Sequence, residues 1–231
     1  MSLISVIAPM FNEEEIVLSF LESFNKFSIL NPTKKFELIM IDDGSTDMTF
    51  NIAKGFFSNA FKLNIIQHEK NLGLESAILS GLKSAKGNII CTMDGDMQDP
   101  FDYIISAVKL MEQNKKIDII HFERKLRIND SIFKKLTAKF IYFCISLLTL
   151  NKIPNKDLAN FKIFKRSFLE RLLKININVY RVDVWYVNGQ YDFIKYNRLE
   201  RKAGYTKFSS FKMFKFAIET LRAVYIRELT R

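Results

Sequence analysis

Two carboxylates one residue apart close an apolar run in Met93-Asp94-Gly95-Asp96-Met97-Gln98-Asp99-Pro100. A pair so spaced at the end of a strand can face one hard cation. Carboxylate oxygens suit Mg²⁺ or Mn²⁺, which share their shell with diphosphate oxygens and water. A cation held there would neutralise charge on a departing diphosphate as a Lewis acid. The same residues also form turns readily, so the spacing alone leaves both readings open. Two further polar clusters end apolar runs. Ile41-Asp42-Asp43-Gly44-Ser45-Thr46-Asp47 carries carboxylates able to hydrogen-bond a base and ribose, while Ser45 and Asp47 can cap a following helix. Pro9-Met10-Phe11-Asn12-Glu13 offers an amide and a carboxylate to a nucleoside edge.

These clusters need a scaffold that brings them together. Strand-length apolar runs recur at Leu3–Ala8, Phe36–Ile41, Leu63–Gln67, Asn88–Met93 and Ile117–Phe122, separated by segments of helical length. Such alternation predicts βαβ units and a Rossmann-like, mostly parallel sheet flanked by helices. Ligands of open α/β sheets gather outside the carboxyl ends of the strands, where all three polar clusters fall. Asp99-Pro100 reads as the entry to another helix.

At 231 residues and 48% hydrophobic content the chain is expected to be one domain, 1–231, folded throughout. Its charge divides it in two. Residues 1–123 hold 11 Lys/Arg against 17 Asp/Glu, whereas 124–231 hold 24 against 8, a net −6 beside a net +16. The basic half suits a polyanionic partner or an anionic membrane surface, or is a solvated face. Two amphipathic stretches lie in it, Ser131–Leu150 and Phe208–Arg231. The apolar run Phe140–Leu150 has 11 residues, short of the roughly 20 that span a bilayer. In the last stretch Phe211, Phe214, Ile218, Leu221, Tyr225 and Leu229 mark one helical face. Core packing or a homo-oligomer interface is the alternative use of both. Cys91 and Cys144 read as reduced core residues, and His68 and His121 as structural; Tyr180, Trp185, Tyr186 and Tyr191 stay unassigned. Without a cationic start and apolar core there is no signal peptide, which predicts a cytoplasmic location.

Together the three loops resemble the GT-A glycosyltransferases of family 2. The likeness continues through Asn71-Leu72-Gly73 with Ala77 and Gly81, and the D-x-D-x-Q-x-P form is similar to that of polyprenyl-phosphate sugar synthases, the dolichyl-phosphate mannose synthase and bactoprenol glucosyltransferase group. Arg124 and Arg127 resemble that group's arginine after the fifth strand. Arg201-Lys202-Ala203-Gly204-Tyr205-Thr206-Lys207-Phe208 resembles its late R-x-x-G-x-S-K stretch. The resemblance implies a GT-A fold with C-terminal amphipathic helices, a Mg²⁺ or Mn²⁺ cofactor on Asp94, Asp96 and Gln98, and a nucleoside framed by Pro9, Asn12, Glu13, Asp42, Asp43 and Asp94. It implies catalytic roles for Asp96, Asp157 and Arg124, and phosphates met by Arg124, Arg127, Arg201 and Lys207. A nucleotide-diphosphate sugar would be the donor and a polyprenyl phosphate the acceptor, with peripheral attachment to the inner face of the membrane and no nucleic-acid partner.

One departure bears on the chemistry. Where the group carries G-D-F-R-L, this chain has Asn160-Phe161-Lys162-Ile163, with Asp157 three residues earlier. Either Asp157 serves as base through a shifted loop, or none is used, since a phosphate monoester is already an anionic nucleophile. The rival acceptor is a glycan hydroxyl in cell-surface polysaccharide assembly, which requires a base. A non-enzymatic polyanion-binding module leaves the acidic strand-end loops without a purpose. A nucleotidyltransferase lacks its glycine-rich phosphate loop near the first strand.

Overall fold

The computed structural model describes residues 2–125, 143–149, 152–154, 158–175, 177, 179–200 and 210–229. The strands are β1 (Leu3–Met10), β2 (Lys35–Asp42), β3 (Lys62–Gln67), β4 (Ile89–Thr92), β5 (Ile119–Arg124), β6 (Leu158–Lys165) and β7 (Tyr191–Tyr196). The helices are α1 (Val17–Leu30), α2 (Thr49–Lys54), α3 (Leu74–Ser84), α4 (Asp102–Gln113), α5 (Arg166–Lys174), α6 (Tyr180–Asp183) and α7 (Ser210–Leu229). Residues 143–148 are also helical.

All seven strands join one sheet in the order β3-β2-β1-β4-β6-β5-β7. The first four run parallel, as do β5 and β7, whereas β6 is antiparallel to both β4 and β5. The sheet is thus mostly parallel and covered on both faces. Ile4, Val6, Ala8 and Met10 of β1 enter a core with Phe20, Phe24, Phe36 and Phe61, while Ile7 joins Ile39, Ile41, Ile78 and Leu82 on the other face. Burial on both sides explains why these strands read as unbroken apolar runs.

The five strands expected from the sequence are all present, with ends shifted by no more than two residues. Strands β6 and β7 are additions. Strand β6 hides from a hydropathy reading because its centre holds Lys162, a lysine only 3% exposed. Its register puts Lys162 opposite Thr92 on one side and His121 on the other.

Helix starts follow local chemistry. Asp47 accepts from the Thr49 amide (3.0 Å) and hydroxyl, bracing the start of α2 from one residue before its N-cap Met48, while its other oxygen takes the Glu14 amide. The helix expected after Asp99-Pro100 is α4, though Asp99 itself does not cap it. Asp99 is buried and turned inward, accepting the Tyr196 hydroxyl at 2.6 Å.

Among the described residues no helix is long and apolar enough to cross a membrane. In α7 the buried residues are Thr220, Ala223 and Val224, while Ile218 (50%), Tyr225 (60%) and Leu229 (67%) are exposed. Of the stripe expected from its periodicity, Ile218, Tyr225 and Leu229 therefore face outward, while Leu221 packs against the core. The 143–148 segment likewise packs Ile145 and exposes Phe143, Leu147 and Leu148. The earlier part of its expected amphipathic stretch, up to residue 142, lies outside the described residues. Cys91 and Cys144 are free, with Cys91 buried in β4.

Candidate active site

The carboxyl ends of β3, β2, β1 and β4 lie side by side, and their loops are laced by hydrogen bonds. The Asp43 amide donates to Met10 O (2.8 Å), the Asn12 amide to Ser45 Oγ (2.9 Å), and the Thr46 amide to Asn12 Oδ1 (2.8 Å). The Glu13 amide donates to Thr49 Oγ1 at 2.7 Å. Asn12 holds a positive φ of 51°, which asparagine tolerates better than most residues. Its amide carbonyl, expected at a nucleoside edge, braces the second loop instead. Gly95 lies so close to β1 that a Cβ there would sit 2.9 Å from Pro9 O. The D-x-D loop is thereby seated on the first loop.

Neighbouring Asp42 and Asp43 have different duties. Asp43 accepts from the Leu72 and Gly73 amides (3.0 and 2.9 Å) and pairs with His68 Nδ1 at 2.8 Å, while His68 Nε2 meets Ser80 Oγ. Both of its oxygens are spent on positioning the loop before α3. Asp42 accepts the Ser45 amide on Oδ1, and its Oδ2 is buried with no hydrogen-bond partner. A buried carboxylate oxygen without a donor is costly, and it marks a place for one.

At the end of β4, Asp94 Oδ2 and Asp96 Oδ2 each lie 3.1 Å from one nitrogen, Nη2 of Arg198. The two carboxylates therefore converge on a single cationic centre. Asp94 Oδ1 accepts the Asn160 side-chain amide at 3.3 Å. Gln98 turns its Nε2 to Leu199 O (3.0 Å). Burial, reinforced by Asp94, raises the Asp99 carboxyl to about 6.

Behind this pair lies a cationic floor that the sequence hides. Lys162 is buried beside the Tyr180 ring, with its ammonium 5.2 Å from the ring centroid. Burial lowers its pKa to about 8, with Glu75 and Asp94 favouring the charge and Arg181 and Arg124 opposing it. Arg124 ends β5, its side chain within hydrogen-bonding reach of Tyr196. His121 lies within β5 and not at its end, stacked on Trp185 at 4.1 Å; burial and the Lys162 charge push its pKa down and keep it neutral. That stack gives Trp185 a packing role.

The structure thus gathers Pro9, Asn12, Glu13, Asp42, Asp43, Asp94, Asp96, Gln98 and Arg124 at one end of the sheet. Asp157, Arg127, Arg201 and Lys207 lie outside the described residues. The sequence reading passed over Arg198 and treated Lys162 only as part of a motif. An arginine three residues before Arg201 is the available signal.

The sheet order and the carboxylate-bearing loops define a GT-A glycosyltransferase fold. Solved structures support this: glucosyl-3-phosphoglycerate synthase from Mycobacterium tuberculosis, in complex with Mn²⁺, UDP and phosphoglyceric acid, superposes with a TM-score of 0.67 at 16% identity, covering 98% of this chain and 78% of that one. Mannosyl-3-phosphoglycerate synthase from Rubrobacter xylanophilus also gives 0.67, at 14% identity, covering 98% and 74%. Residues 5–173 match the family described as glycosyl transferase family 2, and the chain belongs to that family: it is a glycosyltransferase. It is 29% identical over 219 residues to the bactoprenol glucosyl transferase of Shigella phage SfV, covering 94% of this chain and 70% of that protein. It is 32% identical over 171 residues to the dodecaprenyl-phosphate galacturonate synthase of Rhizobium johnstonii, covering 73% and 49%.

The residues fit a divalent cation of the kind in the Mycobacterium complex. Two carboxylate oxygens already converge on one positive charge. Among the described residues no group of three or more His, Cys, Asp or Glu side chains could hold a metal unaided. That suits an ion whose shell is completed by diphosphate oxygens and water.

Proposed function

We propose that this glycosyltransferase moves a sugar, with inversion, from a nucleoside diphosphate donor to a polyprenyl phosphate, in a reaction dependent on Mg²⁺ or Mn²⁺. The observation that carries the reading is the convergence of Asp94 and Asp96 beside buried Lys162. Acidic groups for a cation thus adjoin a basic group for a phosphate. The acceptor class follows the bactoprenol and dodecaprenyl-phosphate names of its relatives.

In this mechanism Asp42 Oδ2 accepts a base N–H. One open acceptor matches the single ring N–H of uracil or thymine better than the N–H and NH₂ of guanine. Asp43 and Asn12 keep the loops in register. Asp94 and Asp96, with Gln98 in reach once it leaves Leu199, would hold a divalent metal, which would supply Lewis-acid stabilisation of a departing diphosphate. Lys162 and Arg124, joined by Arg127, Arg201 and Lys207, draw the acceptor phosphate toward the anomeric carbon and offset its charge.

No carboxylate stands at position 160, and Asn160 cannot take up a proton. A phosphate monoester supplies its own charge, its second pKa lying near 6. This favours lipid phosphate over a glycan hydroxyl and leaves Asp157 without a required role as base. The outward side chains Ile218, Tyr225 and Leu229 of α7, with exposed Arg222 on the same helix, suit peripheral attachment to an anionic membrane face.

The test is a donor panel of UDP-, dTDP- and GDP-sugars with Mn²⁺ and a short polyprenyl phosphate. Lipid-linked product with a uridine or thymidine donor is expected. Transfer only to glycan hydroxyls would overturn the acceptor assignment.

Lys162→Met gives a second check. Loss of a charge-assisted contact is expected to lower kcat/KM for the lipid phosphate about ten- to a hundredfold. Wild-type kcat/KM should fall as pH rises through about 8, where the ammonium is lost, and the variant should lack that limb. The linkage for stability has the opposite sense. Between about 8 and 10.5 the unfolded chain holds a proton that the folded chain does not, so this lysine's cost to folding shrinks as pH rises. Met should therefore melt no lower than wild type at neutral pH, and a pH profile unchanged by the substitution would remove Lys162 from the site.

A further inference from the structure

We infer that Arg198 is a built-in counter-ion for the carboxylate pair, occupying the cation position at rest, and that metal binds by displacing it. The inference rests on the reading of Asp94 and Asp96 as metal ligands.

Geometry is the first support. Arg198 Nη2 lies 3.1 Å from both Asp94 Oδ2 and Asp96 Oδ2, and its Nε lies 3.7 Å from Asp99 Oδ1. One guanidinium thus meets all three carboxylates of the loop. The contact is also positioned by the backbone. The Leu199 amide donates to Gln98 O at 2.8 Å, and Gln98 Nε2 donates back to Leu199 O at 3.0 Å. On the other side of Arg198, the Tyr196 hydroxyl bonds Asp99 Oδ1, and Tyr196 O accepts the Lys125 amide. The residues after β7 form a strap laid along the D-x-D loop, and Arg198 is its inward-facing charge.

The arrangement cannot coexist with a metal. Mg²⁺ binds carboxylate oxygens at about 2.0–2.1 Å, closer than the 3.1 Å at which they now hold a nitrogen. A dication at that point would also face a guanidinium within a few ångströms, and like charges so close repel. Arg198 and the ion therefore compete for the same two oxygens. Arg198 spares the carboxylates their mutual repulsion while the site waits, and it weakens metal binding until a donor diphosphate adds its own ligands. Because Gln98 is tied to the same strap, freeing its side chain and freeing the carboxylates are parts of one displacement.

The test is direct Mn²⁺ binding to the full chain without nucleotide, followed by the electron paramagnetic resonance of free Mn²⁺. Arg198→Gln is expected to bind Mn²⁺ about tenfold more tightly than wild type, and Arg198→Lys, which keeps the charge, to stay near wild type. The sign is diagnostic, because a site merely loosened by the substitution would bind more weakly. Asp96→Asn serves as the reference that loses the ion. Equal or weaker binding by Arg198→Gln, with binding still lost in Asp96→Asn, overturns the inference and leaves the metal reading intact. Failure of wild type to take up Mn²⁺ even with UDP present overturns both.

Discussion

Asp96→Asn is expected to lower kcat/KM about a thousandfold at saturating Mn²⁺, close to 4 kcal/mol of transition-state stabilisation. Shape and one local bond survive the change. The Gln98 amide donates to Asp96 Oδ1 at 3.2 Å, and an asparagine carbonyl oxygen there can accept the same bond. What is removed is a negative charge at the point where Asp94 Oδ2 and Asp96 Oδ2 converge. A neutral amide is a poor ligand for a hard dication, and the diphosphate then departs with its charge uncompensated. The fold should tolerate the substitution, since the ion pair with Arg198 is partly exposed and such pairs contribute roughly 1 kcal/mol or less. Steady-state kinetics beside a thermal melt separate the two effects. Activity within threefold of wild type would remove Asp96 from the metal site.

Gly44→Ala is expected to be the most damaging small substitution at the donor end. Gly44 has φ +71°, and a Cβ there would stand 2.3 Å from the Lys70 carbonyl carbon and 2.5 Å from the Asn71 nitrogen. Both obstacles are backbone, so no rotamer change relieves them. Left-handed geometry costs alanine about 1–2 kcal/mol, and the overlap adds a term of similar size, for a total of about 3 kcal/mol. Relief can come only by pushing the Asp42–Ser45 loop away from Lys70–Gly73, which breaks the bonds from Asp43 to the Leu72 and Gly73 amides. Nucleotide binding should fall with stability. Gly73 supplies the contrast: at φ +89° and ψ 159° it sits in a region kept almost wholly for glycine, but nothing lies within 4 Å of the added carbon, so alanine there bears a conformational cost of about 1–3 kcal/mol with no overlap. Urea unfolding and UDP binding read both variants. If Gly44→Ala costs no more than the about 1–2 kcal/mol of left-handed geometry, the backbone overlap there has no energetic weight.

How much of this was legible in the chain varies by residue. Strands β1 to β5 were legible because parallel strands covered on both faces are apolar throughout. Strand β6 was not, since Lys162 at its centre is polar by type yet buried by position. The apolar stripe of α7 was readable from its spacing, but the spacing does not say which face docks. Ala223 and Val224 face inward in one core cluster with Val182 and Val184, and Thr220 accepts from Arg181 Nε, leaving Ile218 and Tyr225 outside. The acidic loops announced themselves as chemistry, whereas Arg198 sits in a run of charges indistinguishable from a solvated face.

By itself, then, the amino-acid order determined the kinds of groups available and the strand ends that carry them, because hydrophobic period and turn chemistry are local. Only the tertiary structure decided how neighbours of one type divide their work. Asp42 keeps a buried oxygen unpaired while Asp43 is saturated, burial lowers the Lys162 pKa to about 8, and Arg198 stands between Asp94 and Asp96. Hydrogen-bond saturation and desolvation depend on atoms far away in the chain, 104 residues in the case of Arg198 and Asp94, and no local spacing encodes them.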